Sequence, residues 1–354
     1  MRPENTKILY TYPARRSFVI NDIAILEKHF RVTTYLFKTN RKLFTPISFI
    51  LQGFYLLLFG WKYDFLVTFF AGYHSLLPVL FSKITGKKCI LFLGGTECFN
   101  YPSFQYGNFT RKWYGRATCI SAHHASLLVP VSINLILSES GYYTGDSGIQ
   151  GIYHWCAPIK TPYEVISLEY DPAMFYRRDV NRKENSFITV AFGINGPPFI
   201  RKGIDKFLMI AQHFPENLFT IVGCYKSDFQ VPVPDNVVLV PPVPYDQLPM
   251  QYSQHQFYLQ LSIAEGFPSA ICEAMLCECI PIGSDVAAIP MIISDAGYLV
   301  SKREDLIILD VIRNAMNNNN KEELGKKARN QIMNSFRKGK REAALLKIFI
   351  KNLN

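Results

Sequence analysis

Short, almost uninterrupted apolar runs restrict what this chain can fold into. "KILYTY" (7–12), "DFLVTFF" (64–70), "KCILFLGG" (88–95) and "ASLLVPVS" (125–132) do not alternate polar with apolar residues along a strand. A strand that is apolar on both faces belongs in a parallel sheet with helices over each side. Helical stretches do lie between these runs. Residues 17–30 place Ile20, Ile23, Ala24 and Leu26 near helical spacing behind Ser17, a residue suited to an N-cap, and "HSLLPVLFSKITG" follows the third run. "VTTYLF" (32–37) and "YEVISLEY" (163–170) read as further strands. The length of 354 residues, with 49% hydrophobic and 19% charged, suits about two such units.

The pattern breaks at 171–186, which is polar, charged and poorly periodic, and then restarts. "FITVAFG" (187–193), "LFTIVG" (218–223), "NVVLVPPV" (236–243), "FYLQLS" (257–262), "IPIGS" (280–284) and "GYLVS" (297–301) alternate with helices expected near 203–214, 245–253 and 269–278. "NNNN" at 317–320 reads as a loop, and the chain from about 321 as helical. We therefore expect an α/β protein of two doubly wound, Rossmann-like domains facing a cleft. The first covers 1–170, 171–186 is a linker, and the second covers 187–330. A basic helix at 331–354 is placed to pack back toward the first domain. Ligands of such sheets bind where strand ends lead into helices.

Two strand–loop–helix junctions in the second domain carry the chemistry. In "SIAEGFPSAICEAML" (262–276), Glu265 stands in the loop and Glu273 about one turn into the next helix. Gly266 permits close backbone approach, Pro268 suits the first helical turn, and Ser269 can help cap. The free N–H groups of that turn, with the helix dipole, form an anion site. One carboxylate could then serve hydroxyls on each side of a bound phosphate, although the dipole alone also favours a glutamate in a first turn. In "AFGINGPPFIRKGID" (191–205), Arg201 and Lys202 arrive just before a helix, which suits neutralisation of a diphosphate and equally a solvated basic turn. The P-loop spacing is missing.

Together these motifs resemble the retaining GT-B glycosyltransferases of glycosyltransferase family four, also called glycosyl transferases group one. The resemblance rests on Glu265-GFPSAIC-Glu273, on Arg201-Lys202-Gly203, and on "CECIPIGSDVAAIPMIISDAGYLV" downstream. It covers about 187–301 well and the first domain loosely. It implies that Glu265 binds donor-sugar hydroxyls and Glu273 the ribose hydroxyls. Lys202, with Arg201, would neutralise the departing diphosphate, and the backbone from Gly266 and Phe267 through Pro268, Ser269 and Ala270 would cradle it. The base would rest near Gly223 and "PPVPYDQL" (241–248), beyond the strand ending at Gly193. Some members read Gly-Gly-x-Asp after the fourth strand, which Gly94-Gly95-Thr96-Glu97 resembles, so Gly95, Thr96 and Glu97 are acceptor-side candidates. His74, after the third strand, is another cleft candidate. The family often has an arginine after the glycine at Gly193, where this chain has Ile194, and Arg201 is the candidate substitute. The first loop, "YPARRS", lacks the family's glycines but carries Arg15 and Arg16, which either face phosphate or are solvated.

The expected function is transfer of a sugar from a nucleotide-diphosphate donor to a glycan or lipid-linked acceptor in cell-surface polysaccharide assembly. No cofactor or metal is required by this chemistry. The alternatives are a non-catalytic sugar-nucleotide-binding scaffold and a nucleotide-sugar epimerase of the same fold. The net charge of +10 sits at the two ends, with nine Lys/Arg against three acidic residues in 1–45 and ten against three in 321–354. No zinc-finger or RNA-recognition pattern appears, which disfavours nucleic acid. "PISFILQGFYLLLFGW" (46–61) is too short to span a bilayer. Preceded by the basic "TNRKLF" (39–44) and followed by Trp61-Lys62-Tyr63, it either lies on anionic lipid or covers the first domain's core. The eight cysteines, with no secretory signal, read as reduced core thiols of a cytoplasmic protein, peripheral at the inner face of the plasma membrane.

Overall fold

The computed structural model describes residues 3–38 and 44–353. Most of the basic "TNRKLF" stretch, 39–43, lies outside the described residues. The first half of the chain runs β1 (Lys7–Tyr12), α1 (Ser17–Glu27), β2 (Arg31–Leu36), α2 (Thr45–Phe59), β3 (Phe65–Phe69), α3 (Tyr73–Thr85), β4 (Lys88–Leu93), α4 (Lys112–His124) and β5 (Leu127–Pro130). A short antiparallel pair follows, β6 (Ser138–Glu139) with β7 (Ile149–Gln150), and then α5 (Ile152–Trp155). The second half runs β8 (Lys183–Val190), α6 (Pro197–Arg201), α7 (Ile204–His213), β9 (Phe219–Val222), β10 (Val237–Val240), α8 (Leu248–Ser253), β11 (His255–Gln260), α9 (Ser269–Leu276), β12 (Ile280–Ser284), α10 (Ile289–Ile293), β13 (Tyr298–Val300) and α11 (Asp305–Met316). Helices α12 (Lys321–Ser335) and α13 (Lys340–Leu353) end the chain.

The two main sheets are entirely parallel. The first has the order β2-β1-β3-β4-β5 and the second β10-β9-β8-β11-β12-β13. Every residue of β3 and β9 is buried, and all of β1 and β4 except the opening lysine is buried or nearly so. Rings fill the space above the sheets: Phe69 stacks on Phe92 at 5.6 Å, and Phe187 stacks on Phe219 and Phe257 at 4.8 and 5.0 Å. In the second sheet the order reverses between β8 and β11. The crevice between their carboxyl ends receives both the Arg201-Lys202 turn and the Glu265 loop.

Three expectations are corrected. Residues 163–170 are not a ladder strand. They run beside β5, and only the Leu128–Tyr163 bridge closes. The next bridge would need an N–H from Pro130, which has none; Ile166 N–H still donates to Pro130 O at 3.0 Å. Two cysteines are not free: Cys119, late in α4, is bonded to Cys156 at the end of α5, with Cα atoms 5.1 Å apart. The other six are free and buried. Pro268 occupies the cap position of α9 itself, outside the first turn, and Ser269 makes no capping bond.

α13 returns to the first domain. Arg341 forms a buried two-pronged pair with Asp22 of α1, at 2.5 and 2.7 Å. Glu342 accepts from Lys28 and bonds His29, and Phe349 packs on Phe30 and Phe65. No described helix is long and apolar enough to cross a membrane.

Candidate active site in the interdomain cleft

The Arg201-Lys202 turn is stitched to the end of β11. Ile263 N–H donates to Arg201 O at 2.7 Å, and Arg201 Nη1 donates to Ala264 O at 3.1 Å. Gly203 is required here: its φ is +72°, and a Cβ would stand 2.1 Å from Leu261 O. The stitching brings Arg201 Nη1 to 3.9 Å from Glu265 Oε1. That same oxygen accepts from Ser262 Oγ at 2.9 Å and lies 3.4 Å from Gln260 Nε2. Lys202 Nζ donates to Phe192 O at 2.9 Å. Burial lowers the Lys202 pKa against the pull of Glu265, and the charges of Arg201 and Arg16 push it the same way as burial. Arg16, exposed at the end of the first loop in the other domain, is the least of these causes.

The domains touch at two glycine loops. A Cβ on Gly266 would lie 1.8 Å from Gly94 O, and one on Gly95 would lie 2.9 Å from the Gly266 Cα. Beside this contact the Arg201 guanidinium stacks 4.4 Å from the centre of the Tyr106 ring, whose hydroxyl bonds Thr96 Oγ1 at 3.2 Å. Glu97 is buried and turned back on its own loop, accepting from Gly94 N–H at 2.6 Å and Gly95 N–H at 3.2 Å. Burial raises its pKa to about 7, partly offset by those donors. Further contacts across the cleft run from Tyr142 OH to Leu261 O and from Ser140 Oγ to Asp285 O.

Glu273 is 4% exposed, and each carboxylate oxygen is occupied. Tyr245 OH donates to Oε1 at 2.9 Å and Tyr252 OH to Oε2 at 3.1 Å. Burial raises its pKa to about 7, and the two tyrosines lower it less. A cavity of about 400 Å³ opens beside it, between α1, Tyr170, Phe175, Tyr245, Ser269 and α13. Ser269 Oγ accepts from Tyr170 OH at 3.1 Å, and Phe267 stacks on Tyr170 and meets Phe336 edge-on.

The structure therefore brings Gly266 against Gly94 and Gly95, with Glu265 and the Arg201-Lys202 turn beside that contact and Arg201 reaching Thr96 through Tyr106, and with Phe267, Pro268, Ser269 and Ala270 leading into α9. Gly193, three residues beyond β8, and Gly223, directly after β9, have φ of +59° and +100°. Arg15 is exposed in the first loop. His74 does not face the cleft. Its ring is buried, Nε2 bonds Phe69 O at 2.8 Å, and burial lowers its pKa to about 4. Tyr106, Tyr245, Tyr252 and Ser262 were missed as partners. Only Tyr245 carried a signal, from its place in the loop assigned to the base.

Residues 196–331 match the family model of the glycosyl transferases group 1. The fold is GT-B. Sucrose-phosphate synthase from Thermosynechococcus elongatus superposes with a TM-score of 0.73 at 13% identity, over 98% of this chain and 99% of that one. HepE from Anabaena, solved with UDP and glucose, superposes with a TM-score of 0.71 at 13% identity, over 98% and 100%. TarM of S. aureus matches 87% of this chain over 58% of its own length, with a TM-score of 0.64 at 13% identity. No curated protein matches by sequence.

Proposed function

We propose that this chain is a retaining glycosyltransferase of family four that uses a nucleoside-diphosphate sugar. One observation carries the reading: Glu265, Arg201 and Lys202 converge at the α9 N-terminus, directly against a glycine loop of the other domain. The donor diphosphate would lie on the first turn of α9, neutralised by Arg201 and Lys202, with Glu265 on the sugar hydroxyls and Glu273 on the ribose. The bond from the anomeric carbon to the diphosphate oxygen breaks. The acceptor oxygen bonds that carbon from the same face, and its proton passes to the departing phosphate. Stabilising the leaving diphosphate is the main electrostatic work, and the chain's own cations supply it without a metal. Glu97 accepts one N–H on each oxygen and keeps a lone pair free on each, so we keep it as the residue that holds the acceptor hydroxyl, at the loop it also shapes.

We take the acceptor to be a glycan or lipid-linked intermediate of cell-surface polysaccharide assembly, met at the cytoplasmic face of the membrane. HepE was solved with UDP, so uridine nucleotides are the first probes. Wild-type protein should be thermally stabilised by one of UDP, GDP or ADP over the others. It should release that nucleotide from the matching sugar donor, with NMR of the product showing the donor's anomeric configuration. Glu265→Ala should lower kcat by about 100- to 1000-fold. No turnover of any nucleotide sugar would sink the enzyme reading, and an inverted product would sink retention.

A further inference from the structure

α2 wears its apolar face outward. Ile47, Ile50, Leu51, Phe54, Leu57 and Leu58 are 52–69% exposed. At 100° per residue they form one stripe about 120° wide, which Trp61 continues, and it runs for about 21 Å. Only Gln52 and Leu56 of the helix are buried. Gln52 Nε2 is tied to His74 O at 2.9 Å, and Tyr55 OH is bonded to Tyr63 OH at 2.6 Å, so the helix cannot roll its stripe inward without breaking both. From Leu43 to Trp61 the sequence has no charged residue.

Along the chain on either side of the stripe, basic residues far outnumber acidic ones. Residues 28–138 contain twelve Lys/Arg and two acidic residues, Asp64 and Glu97. Glu97 is buried, and Asp64 accepts the Lys7 N–H. Lys62 follows the stripe, with its ammonium 5.2 Å from the Phe59 ring. Trp61 packs on Phe81 of α3, and Lys87, just after that helix, donates its ammonium to Tyr63 O beside the stripe's end. Trp61, 61% exposed, keeps its indole N–H on Leu57 O.

We propose that the outward face of α2 docks on an anionic lipid bilayer and lies in the plane of its interface. Apolar side chains would enter the acyl boundary, and the surrounding lysines would meet lipid phosphates. Charge decides the occupant: a second copy would bring two strongly basic domains face to face, whereas an anionic surface complements both parts of the patch. The proposal deepens the reading of a lipid-linked acceptor and rests on it only for its purpose, because vesicle binding needs no nucleotide.

The test is flotation of the whole chain with phosphatidylcholine vesicles, with and without phosphatidylglycerol. Wild type should float with the anionic vesicles about tenfold more than with the neutral ones and be partly released by salt. Leu57→Glu combined with Leu58→Glu should lower that binding by about tenfold or more at an unchanged melting temperature, since both positions are exposed. If that pair disturbs folding, Leu57→Ser with Leu58→Ser replaces it. Wild type that stays unbound, or a double variant that floats like wild type, overturns the proposal. So does a solution dimer by light scattering that the same substitutions dissolve. Donor hydrolysis on each variant separates the outcomes: vesicle binding lost with hydrolysis intact concerns the surface alone, and the reverse concerns the glycosyl-transfer reading alone.

Discussion

Glu273 is the residue at which burial and the proposed role meet most directly. Its carboxyl is raised to about 7, so near neutral pH it is part protonated, and only the ionised form accepts two hydroxyl bonds from a ribose. Affinity for a nucleotide sugar should therefore rise between pH 6 and 8. The difference between wild type and Glu273→Gln in calorimetry isolates this residue from the ligand's own titration, and parallel profiles would refute the assignment. The sign for stability is opposite. A raised carboxyl pKa favours the protonated folded state, so the contributions of Glu273 and Glu97 fall as pH rises from their unfolded value near 4.5 to about 7 and are flat above that. The two tyrosines should separate in effect. Tyr245 is 48% exposed and can swing away to admit a ribose, so Tyr245→Phe should tighten nucleotide binding several-fold. Tyr252 is wholly buried, and Tyr252→Phe should cost roughly 1–3 kcal/mol in denaturant unfolding. Reversed effects would show that the wrong tyrosine had been taken as the mobile one.

At the level of elements, the glycine contact between the Glu265 loop and the end of β4 sets how closely the two halves of the site approach. A methyl group on Gly266 meets a carbonyl oxygen, a backbone atom that cannot swing aside. Gly266→Ala should therefore hold the loops apart and lower turnover by about 100-fold, as expected for a displacement of about 1 Å, with donor affinity nearly kept. Unchanged kcat would mean that the contact is incidental. Much of this architecture was legible in the sequence because parallel strands must be apolar on both faces, which set nearly every strand of both sheets and the junction carrying Glu265. Tertiary pairing left less trace. The segment 163–170 has strand composition, but its neighbour presents Pro130 where a donor is needed. Cys119 and Cys156 are 37 residues apart, with no local spacing to announce them. His74 follows a strand end, where cleft residues are found, yet the turn directs its ring inward to Phe69 O. The cationic turn and the Glu265 loop could each be placed on a strand end, whereas the stacking of Arg201 on Tyr106 required both domains in position.

At the scale of the molecule, α13 and the Asp22–Arg341 pair tie the end of the chain to its beginning. Arg341→Met would leave a buried aspartate without its cation and should destabilise by about 3–5 kcal/mol in chemical unfolding. Asp22→Asn added to it should recover part of that loss, and a neutral single variant would show the pair to be dispensable. The chain passes from the first domain to the second between Tyr170 and β8, which begins at Lys183, and comes back between α12, which packs on α9 and β12, and α13, which packs on α1, so the second domain is joined by two strands of backbone. A body hung from one thread can swivel and wander. A body held at two points, like a door on a pair of pins, keeps essentially one axis of rotation. Opening of the cleft should then follow a single arc that returns Gly266 to Gly94 on every closure, and cutting the chain ahead of α13 would remove the second pin.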